Sequence, residues 1–71
     1  MKRKTLDGLV DAFAAQMRAK LRKKEAEGLE GWDDPTWALS ADLKQKLLRH
    51  IEKGDPVDVA NFCAFWWNAQ P

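Results

Sequence analysis

Residues 53–71 read KGDPVDVANFCAFWWNAQP, and how this stretch is read decides the fold. Lys53 and Gly54 are a helix ending, a cation in the last turn followed by a glycine just past it. Asp55-Pro56 is a helix beginning, a capping carboxylate followed by proline at the first helical position. One helix stops at Gly54 and another starts at once. The new helix is unusual. Val57, Ala60, Ala64 and Trp67 lie along one face, and Val59, Phe62, Cys63 and Trp66 along the next. Asp58, Asn61 and Asn68 mark a narrow polar edge that Phe65 interrupts. A helix apolar on nearly all sides must be covered on nearly all sides.

Working outward, the chain has few other means of stabilising itself. Seventy-one residues support one small domain. Cys63 is the only cysteine, so no internal disulfide forms, and Cys63 with His50 is too little for a Cys/His zinc site. Among aromatics in mid-helix, Cys63 is expected to be a buried, inert thiol. His50, near a helix end, is expected to be a surface cation favoured by the helix dipole. No window reaches the roughly 20 apolar residues of a membrane span. The basic start, MKRK, has no apolar signal core behind it. A soluble, cytoplasmic protein is the expectation.

Upstream, Thr5 is a helix cap, and Leu6, Val10, Phe13, Met17 and Leu21 recur at the 3.6-residue period. A first helix is expected over residues 5–26, ending near Gly28. In GLEGWDDPTWALS (28–40), two glycines break the pattern and Asp34-Pro35 starts a second helix, at that point or at Ser40. Leu39, Leu43, Leu47 and Ile51 give it a stripe to residue 53. The third helix covers 55–69. The fold class is therefore all-α: a long helix, a loop and a helical hairpin. The other two helices of so short a chain cannot cover all of the last one, so a homo-oligomeric bundle is expected, with Phe62, Phe65, Trp66, Trp67, Phe13 and Met17 at the interface.

The charge is uneven. Residues 1–27 carry eight basic and four acidic groups, and residues 28–71 carry four basic and seven acidic. The run RAKLRKKEAE (18–27) spreads its cations around the helix and has no stacking aromatics, so a nucleic-acid duplex is not an expected partner. Arg18 and Arg22, gathered at a symmetry axis, suit the phosphates of a small nucleotide better. Trp32 and Trp37 either lid the core or stack on a nucleobase.

The segment GDPVDVANF, with KLLRHIEKGDP before it and GW upstream, resembles short phage and prophage proteins related to the MazG-like nucleotide pyrophosphohydrolases. The resemblance spans roughly residues 9–68. It implies an all-α oligomer that hydrolyses nucleoside triphosphates with magnesium held by two acid pairs on successive helices. Asp55 and Asp58 match the second pair. Where the first is due, DLKQKLLRHIE (42–52) offers Lys44, Gln45, Lys46 and Arg49 instead. With half the metal site missing, no catalytic residue is assigned. The leading expectation is a non-catalytic oligomer that sequesters a nucleotide or cyclic nucleotide, as a phage counter-defence device would. Trp32, Trp37, Arg18, Arg22, Asp58 and Asn61 are its candidate ligand contacts. The alternatives are a magnesium-dependent pyrophosphohydrolase, and a module that binds a host protein through its aromatic face.

Overall fold

The computed structural model describes residues 4–71. Thr5 caps the first helix as its sequence demands, its hydroxyl oxygen accepting from the Gly8 N–H at 2.9 Å. The helix, α1, runs Leu6–Ala26. After the loop 27–34, the Asp34 carboxylate accepts from the Thr36 N–H and opens the single turn α2, Pro35–Ala38. Ser40 then caps α3, Ala41–Lys53, and Asp55 caps α4, Pro56–Asn68. The expected helix over 35–53 is thus two pieces. Leu39 leaves the helical path and the Ser40 hydroxyl captures the Leu43 N–H, so the later of the two starts prevails for the main helix.

The turn between α3 and α4 needs only Gly54 and Asp55. Gly54 takes the left-handed conformation, with φ of 74°, and its N–H and that of Asp55 return to the last carbonyls of α3. α4 packs against both α3 and α1. Its inward stripe is Asp58, Asn61, Phe62 and Phe65, spaced by three, one and three residues so that all fall on the same face. No strand occurs among the described residues, and no helix there is long and apolar enough to cross a membrane.

The buried core is small: Ala38, Leu43, Leu47 and Phe65, joined by the polar Asp58 and Asn61. The other members of the expected α3 stripe, Leu39 and Ile51, face out. α1 contributes no fully buried residue, and at 21 residues it is about 31 Å long. Its first turns carry exposed apolar side chains, Leu6 at 80% and Val10 at 62% exposure. The radius of gyration, 13.1 Å, accordingly exceeds the roughly 11 Å of an equally long compact chain.

Several expectations are corrected here. Phe65, assigned to an oligomer interface, lies in the chain's own core, with its ring 5.9 Å from Trp32 and 6.1 Å from Trp37 and Phe62. Phe62 and Met17 are half-buried within the chain, whereas Phe13, Trp66 and above all Trp67, 77% exposed, remain on the outside. Cys63 is exposed rather than buried, because the face of α4 that carries it points away from α1 and α3. Asp58 and Asn61 are not a solvent edge: they are 6% and 4% exposed. They can be buried because α1 brings them polar partners.

Candidate functional site

The first turn of α4 aims two carboxylates at its neighbours. Asp55 Oδ1 accepts from the Asp58 N–H at 3.3 Å, so capping turns the remaining oxygens toward α1 and α3. Lys20 of α1 reaches both: its Nζ stands 3.1 Å from Asp58 Oδ2 and 3.3 Å from Asp55 Oδ2. His50 of α3 closes the group, with Nδ1 3.5 Å from Asp58 Oδ2 and its ring 5.1 Å from that of Phe62. His50 is therefore half-buried against two carboxylates, not a free surface cation. Its Nδ1 is shut off from water without a hydrogen-bond partner.

The charges adjust to one another. The Asp58 carboxylate, above all, raises the Lys20 ammonium above its ordinary 10.5, Asp55 adding to this while partial burial opposes it. Contact with the Asp58 side chain, then the hydrogen bond from its backbone N–H, then Lys20 hold the Asp55 carboxyl below its ordinary 3.8.

Beside this cluster, between α1, α4 and the α2–α3 segment, opens a cavity of about 460 Å³. Asp58 and Asn61 line it together with the rings of Phe62 and Phe65. Trp32 and Trp37 face them, and Lys24 of α1 and Lys46 of α3 add cations from opposite sides. Glu30 and Asp34 stand in the same lining. Trp37 is held in place by its Nε1–H, which donates to Asp42 Oδ2 at 2.8 Å, and Asp42 also meets Lys46 at 3.8 Å. The Asn61 Nδ2 group donates to the Met17 carbonyl at 3.3 Å, which leaves its Oδ1 buried with no partner.

Of the residues singled out from the sequence, Trp32, Trp37, Asp58 and Asn61 come together in this cavity. Arg18 and Arg22 do not. They line a separate groove along α1 with Ala14, Met17, Leu21 and Glu25. Lys20 and Lys24 were not singled out, while Lys46 was noted only as standing where an acid is due and His50 only as a surface cation. A signal for them existed in their spacing: Met17, Lys20, Leu21 and Lys24 share one face of α1, and Lys46 and His50 one face of α3.

Magnesium, which the family resemblance implies, can be tested against these donors. It favours all-oxygen, near-octahedral ligation. One ligand atom from each of His50, Asp55 and Asp58 does lie within 4.8 Å of the others, but the set mixes an imidazole with two carboxylates. The Lys20 ammonium already bridges both carboxylates, and α3 presents Lys46 and His50 where further acids are needed. The residues do not fit magnesium. No protein-family model, curated protein or solved structure matches the chain.

Proposed function

We propose that the chain is a binding protein without hydrolytic activity, and that its ligand is a mononucleotide held in the cleft between α1, α4 and the α2–α3 segment. The observation that carries this reading is the lining: four aromatic rings for a planar base, with Lys24 and Lys46 for an anion, around about 460 Å³. That volume falls within the roughly 300–1,000 Å³ of small-molecule sites. Lys20 supports the non-catalytic part, since a tethered ammonium replaces the metal on which phosphoanhydride hydrolysis by such acid pairs depends. A chain that holds a nucleotide without turning it over withdraws it from circulation. Resemblance to phage proteins makes a signalling nucleotide of the host the natural target.

Intrinsic fluorescence and calorimetry test this directly. Nucleoside monophosphates are expected to quench tryptophan emission and to bind measurably without magnesium. Trp32→Ala or Trp37→Ala should weaken binding about tenfold, in line with the roughly 1–3 kcal/mol of one base–aromatic stack. Trp67→Ala, far from the cleft, should not. Release of pyrophosphate from a triphosphate in the presence of magnesium would instead establish the pyrophosphohydrolase reading.

The chain is further proposed to pair with a second copy of itself, through α1 and the adjoining start of α4 rather than through Trp66 and Trp67. Leu6, Val10 and Phe13 form an exposed stripe that continues into an apolar groove lined by Phe13, Ile51, Pro56, Val59 and Ala60. Exposed stripes of this kind mark contact surfaces. Light scattering after gel filtration should give twice the mass of one chain, reduced to one by Val10→Glu. A wild-type monomer at high micromolar concentration would refute the pairing and favour a foreign partner.

A further inference from the structure

We propose that Asp42, which stands outside the lining of the cleft, is its positioning residue, setting Trp37 for a base and Lys46 for a phosphate. This role rests on the mononucleotide reading and adds the residue that organises the site. One carboxylate oxygen serves both purposes. Asp42 Oδ2 accepts from the Trp37 Nε1–H at 2.8 Å and stands 3.8 Å from the Lys46 Nζ. Trp37 and Lys46 both line the cavity.

The two contacts differ in kind, and the difference suits binding. The bond to the indole is short, and a charged acceptor makes it stronger than a neutral one would. It crosses the break at Leu39 and Ser40, tying the single turn α2 to the first turn of α3. With its N–H held by Asp42 and its ring 6.1 Å from that of Phe65, the indole is fixed at two points. A stacking ring that is already fixed loses little freedom when a base arrives. Lys46, by contrast, is too far from Asp42 for a hydrogen bond. The two lie one turn apart on α3 as a partly exposed pair, and such pairs are weak. The ammonium is therefore kept beside the indole, yet it can turn to a phosphate without giving up a hydrogen bond to Asp42.

The charge of Asp42 has a second effect. Its carboxylate competes with the ligand's phosphate for Lys46, so the oxygen that fixes the indole also weakens the hold on the anion. Asparagine in its place separates the two effects. Its amide oxygen still accepts from the indole, but it carries no charge to attract the ammonium.

Calorimetric titration of the full chain with AMP, GMP, CMP and UMP, without magnesium, first identifies the tightest of the four. That nucleotide is then titrated into the variants. Asp42→Leu should weaken it about fivefold, part of the roughly tenfold expected when the Trp37 ring is removed altogether. In a Trp37→Phe chain, whose ring has no N–H to donate, Asp42→Leu should weaken it no further. A general loosening of the fold would instead lower affinity in both backgrounds. Asp42→Asn should bind about twofold tighter than wild type, the worth of a weak exposed pair, and Lys46→Met should abolish that gain. Asp42 is exposed, so both substitutions leave the buried core untouched. An Asp42→Leu chain that binds like wild type, or that loses as much again in the Trp37→Phe background, would overturn the positioning role and leave the mononucleotide reading intact. So would an Asp42→Asn chain that binds as weakly as Asp42→Leu. Failure of all four nucleotides to bind the wild type would overturn both.

Discussion

Phe65→Ala is expected to destabilise the chain by about 3–5 kcal/mol, the range for deleting a buried phenyl ring from a packed core. Such a loss is grave for 71 residues, whose whole stability is about 4–11 kcal/mol at the usual roughly 0.05–0.15 kcal/mol per residue. The ring is 8% exposed and is the shared neighbour of Trp32, Trp37 and Phe62, so nothing nearby can move in to refill its place without giving up its own contacts. Urea denaturation followed by circular dichroism measures the effect. Tryptophan emission should shift to the red in the folded variant as Trp32 and Trp37 lose their cover. Trp67→Ala, although larger in side-chain volume, should change stability by no more than about 0.5 kcal/mol, as exposed substitutions do. A loss below about 1 kcal/mol for Phe65→Ala would mean that the aromatic cluster is not the centre of the fold.

The second large effect concerns how stability responds to pH. In the wild type, the raised Lys20 contributes stability that is complete below 10.5 and is lost as the pH climbs through its folded value. The lowered Asp55 contributes stability that is complete above 3.8 and is lost as the pH drops through its folded value. The cluster is therefore fully effective across the neutral range. Lys20→Met should change the sign of the acid response. With no ammonium between them, Asp55 and Asp58 become like charges in contact, which raises carboxyl pKa values. The variant should be less stable at pH 7 and should gain stability on mild acidification, when one carboxyl takes up a proton. His50, the other titratable group that faces them, acts in the same direction when it is charged. Thermal melts from pH 4 to 9 give the result. Lys46→Met, which removes only an exposed 3.8 Å pair with Asp42, should melt almost like wild type at every pH. A Lys20→Met chain whose melting curve parallels wild type across that range would show that the pair is ornamental.

Local signals in the sequence foretold local structure well. Thr5, Asp34 and Asp55 cap helices where the chain says they should, and Gly54 ends α3. Capping involves residues two or three apart, so a single sequence contains all of it. The orientation of α4 was harder to see. Asp58 and Asn61 look like a solvent edge because polar groups usually face water, but their partners, Lys20 and the Met17 carbonyl, lie far away in the sequence. The spacing of 58, 61, 62 and 65 did place an acid, an amide and two phenyl rings on one helical face. Read as a unit, it describes the wall of a cleft. Lys20 was hidden differently, inside a run of cations whose other members are exposed. Its neighbours Met17 and Leu21, both facing inward, were the clue. Trp32 and Trp37 reached the cleft as one of two readings allowed, and they also cover Phe65, so the two readings describe one arrangement.

The turn at Gly54 and Asp55 has a mechanical consequence. Two helices joined by so little chain, and packed along their length, behave as a single rigid jaw. α1 is the opposing jaw. It is joined to the rest through residues 27–34, where Gly28 and Gly31 both adopt positive φ, and it is tied to α4 in its second half by Lys20. Widening the cleft by moving α1 would therefore break the Lys20 pairs and the hydrogen bond from Asn61 to the Met17 carbonyl together. The exposed Leu6–Phe13 stripe lies on the same helix, toward its start, so a contact made there bears on the element that carries Lys20.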